Sequence, residues 1–298
     1  RVQHRSGVLW ILNSRALGRI DLTDHADGRL RSADDWADAL PRRDPDFSEL
    51  SRRLTRYGVT GVTDATPDLA PADVAYLGGQ LRQRLHSLAP GKKILHDDSL
   101  DLDALTHWIA DRHAAGGPVA IHCVTAAQLV VAIAALRASG RHPRDRIEHA
   151  AMVPDDAVDD LADLGVTVVT QPNFLAERGE QYAHDVPADD WPQLWRLASL
   201  LAAGVRVAAS TDAPFGALDP WAAMRAAVNR PAPERVPADV ALRMFLGRAD
   251  DPAQPREVAV GEPGDLCVLA VPPEAALAEL AADMVAATVI GGVVVENA

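Results

Sequence analysis

Three side chains that can bind a metal ion or move a proton each close a short apolar run. His122 follows Val119-Ala120-Ile121, His149 follows Arg146-Ile147-Glu148, and Asp212 follows Ala208-Ala209-Ser210-Thr211. Neutral imidazole nitrogen and carboxylate oxygen are ordinary ligands of zinc and similar divalent ions. Such an ion lowers the pKa of water towards ~7 and polarises a carbonyl. A carboxylate beside it either ligates the ion or takes the water's proton and hands it to a leaving amine. Both roles stand open for Asp212.

Lys93 extends the set. It opens the apolar run Lys93-Ile94-Leu95, one strand-and-helix unit before His122. A lysine directed into a cavity is costly unless it is paired or modified. Carbamylated by CO2, its amine becomes a carboxylate able to bridge two ions. A surface salt bridge is the other reading. Lys92 faces the opposite way in a strand, and Lys93 is preferred because its neighbours form the apolar run.

For these groups to meet, their strands must lie side by side. His122 and His149 are 27 residues apart, the length of one strand-helix unit, and Asp212 lies 63 residues further on, room for two units. Helical patterns over 101–115, 126–139, 154–164, 192–203, 219–229 and 238–247 separate strand patterns over 119–122, 146–149, 166–170 and 205–209. Pro154 suits a first helical turn, and Gly165 and Gly204 suit helix ends. Residues 47–57 and 71–88 also read as helices, and 59–63 as a strand. Strands alternating with helices predict a parallel sheet or barrel whose strand ends share one mouth. Residues 19–46 and 171–190 read as irregular or loop segments. After Pro255, 257–260, 265–269 and 285–295 read as strands, with Gly291-Gly292 as a hairpin turn.

The bulk numbers suit this reading. The chain has 298 residues, 48% hydrophobic, enough for one closed α/β barrel of about 250 residues and a smaller appendage. Net charge is −13 without a basic face, which argues against a nucleic-acid partner, and no apolar run approaches a membrane span. The two cysteines, Cys123 and Cys267, imply no disulfide framework and point to a cytoplasmic setting. Cys123 reads as a buried structural thiol. Glu148 is expected to turn away from His149 and pair with a neighbouring element. His96, His107, His113 and His142 read as solvated, and His4 as a substrate-facing candidate near a strand end.

Several runs together resemble a known family. Gly-Pro-Val-Ala-Ile-His-Cys-Val-Thr (117–125), Asp-Arg-Ile-Glu-His-Ala (145–150), Val-Thr-Gln-Pro-Asn-Phe (169–174) and Ala-Ser-Thr-Asp-Ala-Pro (209–214) resemble the amidohydrolase superfamily. The chain is similar in particular to its amidohydrolase-3 branch, which includes N-substituted formamide deformylase-like enzymes. Gln3 to Leu17 and Gly261-Glu262-Pro263-Gly264-Asp265-Leu266 resemble further segments of that branch.

The resemblance implies a TIM-like (β/α)8 metal-dependent hydrolase barrel over 1–250 and a C-terminal β segment, 251–298, of a small composite β-sandwich. It implies His122 and His149 as metal ligands, Lys93 as a bridging ligand, and Asp212 as ligand and proton carrier. One or two divalent ions, zinc first, would serve hydrolysis of a non-peptide C–N bond of the amide type in a small-molecule substrate; a homo-oligomer is compatible. A mononuclear deaminase and a catalytically inactive barrel are the alternatives. The family's first strand carries His-X-His, whereas no two histidines here are two positions apart. With the start at Arg1, this reads as an N-terminally incomplete barrel, in which a site at His122, His149 and Lys93 remains.

Overall fold

The computed structural model describes residues 1–4, 9–31, 36, 40 and 45–295, in two units, Arg1–Asp46 and Phe47–Ala298. The first unit holds an antiparallel sheet of β1 (Val2–Gln3), β2 (Leu9–Ile11) and β3 (Arg29–Arg31), with the short helix α1 (Ser14–Leu17). Its small core is Leu12, Leu17, Leu30, Trp36 and Leu40. The strand β3 falls inside a stretch expected to be irregular, while 32–35, 37–39 and 41–44 of that stretch lie outside the described residues.

The second unit carries the strand-helix alternation. Helix α2 (Ser48–Arg56) leads to β4 (Gly61–Asp64), α3 (Pro71–Gln80), β5 (Arg84–Ser87), β6 (Lys92–Ile94) and α4 (Leu102–Ala114). Then follow β7 (Ala120–Cys123), α5 (Ala126–Ser139), β8 (Arg146–His149), α6 (Asp155–Leu164) and β9 (Thr167–Thr170). Helices α7 (Asn173–Asp185) and α8 (Ala198–Ala202), strand β10 (Arg206–Ala209), and helices α9 (Pro220–Val228) and α10 (Ala238–Arg243) complete it. Strand β11 (Leu266–Leu269), helix α11 (Pro273–Glu279) and the hairpin β12 (Val285–Ile290)–β13 (Val293–Val295) end the chain.

All pairings among β4 to β10 are parallel, but they make two sheets. One is five-stranded in the order β10-β9-β8-β7-β6, and the other is the pair β4-β5. Among the described residues the strands are not hydrogen-bonded into a closed ring, so the observed fold is an α/β parallel sheet rather than a full barrel. The antiparallel sheet β11-β12-β13 packs its Thr288 hydroxyl against the end of α2, donating to Thr55 O at 2.6 Å.

Strand register decides which side chains meet the helices. Lys93, Ile121, Ile147 and Val168 stand in one row across β6 to β9. Ile121, Ile147 and Val168 are fully buried with Leu129, Leu136 and Leu161 from α5 and α6. Each such side chain contributes about 1.5–3 kcal/mol by leaving water. The rows on either side, Lys92-Ala120-Arg146-Thr167 and Ile94-His122-Glu148-Val169, point to the other face.

Several expected elements change. The pattern over 71–88 splits into α3 and the strand β5, because Arg84 to Ser87 extend along β4, Leu85 opposite Val62. The segment 171–190 contains helix α7. Its Leu, Ala, Glu and Gln are strong helix formers, and Pro172 lies outside as the cap. Residues 257–260 are not a strand. His113 pairs with the fully buried Asp145 (Nε2–Oδ2 3.0 Å) rather than with solvent.

Candidate active site

His122 reaches the mouth by ordinary alternation. It belongs to the inward row, and the loop after it is fixed at once by the start of α5. Thr125 Oγ1 accepts from Gln128 N (3.2 Å), and the Gln128 side chain accepts from Val124 N (2.7 Å). His149 arrives differently. It is in register with Cys123, whose thiol is fully buried among the helices, so simple alternation would bury it there as well. Its backbone instead turns left-handed, φ 72° at His149 and 45° at Ala150. That turn ends the strand and brings the His149 ring to 4.4 Å from the His122 ring, centroid to centroid, nearly perpendicular. A non-glycine residue in this region costs of order 1–3 kcal/mol, and such strain gathers at functional sites.

Asp212 and Trp195 are also left-handed, with φ 51° and 49°. The Asp212 loop is clamped from α7. Asn173 Nδ2 donates to Glu177 Oε1 (2.9 Å) and Thr211 O (3.4 Å), Glu177 accepts from Ala217 N (3.2 Å), and Gly216 N donates to Asp212 O (2.9 Å). Gly216 is required at this point: a Cβ there would lie 2.0 Å from Thr211 O. Trp195 N donates to Ala151 O (2.7 Å), and the buried Arg230 guanidinium donates to Trp195 O and Leu194 O.

The electrostatics favour neutral imidazoles. Burial, with His149, Lys92 and His96 nearby, depresses His122 to about 3. Burial also lowers His149, against the opposing pull of Asp212. Burial raises the Asp212 carboxyl above the usual range, and His149 and Lys92 draw it back. Gln171, which the sequence reading left without a role, sets the His149 tautomer. Its Nε2 donates to Ser210 Oγ (2.8 Å) and Val169 O (3.3 Å), so its Oε1 is the acceptor facing His149 Nδ1 at 2.8 Å. The proton therefore sits on Nδ1, and the Nε2 lone pair is left for a ligand. Gln171→Leu should weaken metal affinity about 10-fold to 100-fold, measured by competition against a chromophoric chelator, with little change in Tm.

The lysine differs from the sequence expectation. Lys93 shares the row of Ile121 and Ile147, and its Nζ lies 5.1 Å from the Trp108 ring centroid on α4. Lys92 is the buried one, and its ammonium is pushed down by burial while Glu148 and Asp212 pull it back up. The register with β7 decides this: Ile94 pairs with His122, so Lys92, two residues before it, shares the side of His122, and Lys93 takes the side of Ile121. Glu148 shares the row of His122 and pairs with Arg146 two residues away on the same strand. His96 is exposed, yet its charge is felt at His122. Cys123 has the fully buried setting expected, which pushes its thiol up and out of nucleophilic use. His4 belongs to the first unit, where its N–H donates to Leu9 O (2.7 Å).

His122, His149 and Asp212, at the C-terminal strand ends, and Lys92, at the start of β6 on the same side of the sheet as His122, thus act on one another electrostatically. Among the described residues, no three His, Cys, Asp or Glu side chains are grouped closely enough to hold a metal ion. The donor chemistry nevertheless fits a divalent ion: two adjacent neutral imidazoles, one with a fixed tautomer, and the Asp212 carboxylate within electrostatic reach of His149.

Comparison with known proteins gives the same direction. The amidohydrolase family model matches residues 72–296. The fold is similar to that of an uncharacterized metal-dependent hydrolase from Pyrococcus furiosus, with TM-score 0.65 and 19% identity over 80% of this chain and 64% of that one. It is similar to A. niger ochratoxinase, with TM-score 0.61 and 14% identity over 83% and 74%. A prolidase complexed with N-methylphosphonate-L-proline gives TM-score 0.60 and 16% identity over 85% and 81%. The chain spans less than two thirds of the Pyrococcus furiosus hydrolase. No curated protein matches it.

Proposed function

Given that this chain belongs to the amidohydrolase family, we propose that it is a metal-dependent hydrolase that cleaves a non-peptide, amide-type C–N bond in a small molecule. The observation that carries this is the His122–His149 pair, held neutral and edge to face, with Gln171 fixing one tautomer and the Asp212 charge felt at His149. His122 and His149 would hold a divalent ion, zinc first, with Asp212 and Lys92 as further donors. When bound, such an ion supplies Lewis acidity towards water and a substrate carbonyl.

The protein's own groups do the remaining work. Asp212, whose carboxyl burial raises above the usual carboxylate range, takes a proton from the attacking water and returns it to the leaving nitrogen. Its left-handed backbone and the Asn173–Glu177 clamp hold it in place for this. Lys92, buried beside the Arg146–Glu148 pair, takes the place that the sequence pattern gave to Lys93. The formamide deformylase-like branch and a cytoplasmic setting are the finer terms of this reading, supported by the runs Gln3 to Leu17 and Gly261 to Leu266 and by the cysteine usage. Among the described residues no helix is long and apolar enough to cross a membrane.

The test is product analysis. The chain, stripped by chelation and reloaded with zinc, is offered N-formyl and N-acetyl amides, and amine release is followed. Zinc-dependent amine release is expected. Ammonia from amidine or aminopyrimidine substrates in its place would move the assignment to a deaminase.

A further inference from the structure

One cation at the mouth is left over by this scheme. Arg178 sits where α7 breaks, with φ −139° and ψ 20° inside an otherwise helical run. Its guanidinium carbon lies 3.6 Å from the Phe215 ring centroid and 5.3 Å from that of Phe174, and the two rings are 5.3 Å apart. One N–H group donates to the Phe215 carbonyl. Among the described residues no carboxylate pairs with it; the neighbouring Glu177 is turned instead to Asn173 Nδ2 and Ala217 N. The side chain is half-buried, so its remaining donors can be reached from solvent.

Its location ties it to the reacting groups. Phe174 lies three residues beyond Gln171, the partner of His149, and Phe215 lies three residues beyond Asp212. The rings therefore stand at the ends of β9 and β10. Trp195, edge-on to Phe174 at 5.0 Å, joins them to the end of β8 through its N–H to Ala151 O. The positive charge of Arg178 is felt at the Asp212 carboxyl. A guanidinium held over two rings, with donors left over, is pre-organised for two-point recognition of a carboxylate. Arg84, Arg146, Arg196 and Arg206 each meet an acidic partner, and Arg230 spends two donors on backbone carbonyls; Arg178 makes one carbonyl bond.

We propose that Arg178 anchors a carboxylate on the substrate, next to the scissile bond, so that the substrates are N-acyl amino acids or other amides bearing an acid group. The choice of an amide substrate rests on the hydrolase reading; the anion site does not. Binding is therefore measured apart from turnover, with 3-phenylpropionate and 3-phenylpropan-1-ol as probes in titration calorimetry. The wild type should bind the carboxylate about 10-fold to 100-fold more tightly than the alcohol. Arg178→Met should remove that preference, and Arg178→Lys, which keeps the charge but not the fork, should recover only part of it. Equal binding of both probes by the wild type would overturn the proposal, and needs no variant that must fold. So would a preference that survives Arg178→Met in a folded variant. In turnover, N-acetylphenylalanine should outrun N-acetylphenethylamine by a similar factor. Absence of hydrolysis of both, with the binding preference intact, would sink the amide chemistry and leave the anion site standing.

Discussion

Asp212→Asn should cut kcat about 10³-fold while leaving Tm within a few degrees. General acid–base catalysis by one group supplies about 10²–10⁴-fold, and asparagine can neither take a proton from water nor deliver one to a leaving amine. The swap is nearly isosteric, so the Gly216–Asp212 hydrogen bond and the α7 clamp on the loop should survive. Nor does it relieve a buried ion pair on the core side, because Asp212 is at the half-buried mouth. The check is single-turnover kinetics on the zinc-loaded chain with zinc content measured in parallel. An equal fall in zinc content would make Asp212 mainly a ligand. Unchanged turnover would remove it from the chemistry altogether.

Much of this site could be read in the sequence, for a physical reason. Parallel strands repeat at a near-constant interval, so polar residues closing apolar runs must gather at one end of the sheet. That logic places His122 and His149 side by side and Asp212 within electrostatic reach of His149. It gave no account of how His149 could face its neighbour. By alternation it shares the side of Cys123, and only a left-handed residue at the strand end reverses it. Short apolar runs carry no signal of that kind. Strand β5 was hidden because only Leu85 is apolar in Arg84-Leu85-His86-Ser87, and its partner β4 lies outside the run itself. Helix α7 was hidden because Gly179 and Pro172 look like loop punctuation. With α7 went Arg178 and the Asn173–Glu177 clamp, neither of which any periodicity could have placed. Gln171 lay within a quoted motif, but its task depends on Ser210 and Val169 fixing which way its amide points.

Lys92→Met should lower kcat/KM about 10-fold to 100-fold, and Lys93→Met should change it only a few-fold. The loss of a group beside bound metal typically costs 10–100-fold in affinity or activity, and Lys92 also tunes its neighbours. Its charge acts on His122, His149, Glu148 and Asp212 together. Lys93 has no such reach. Its nitrogen rests near the Trp108 face, a cation–π contact worth about 0.5–1 kcal/mol at an accessible site. Losing it should appear as a small fall in Tm. Methionine keeps the aliphatic stem in both variants, so packing is disturbed as little as possible. The two lysines are adjacent, so the pair of variants is a test of strand register. A one-residue slip of β6 would exchange their faces and reverse the two results. If Lys93→Met proved the crippling change, β6 would pair with β7 one residue out of the observed register, and the lysine of the apolar run would be the one in the mouth.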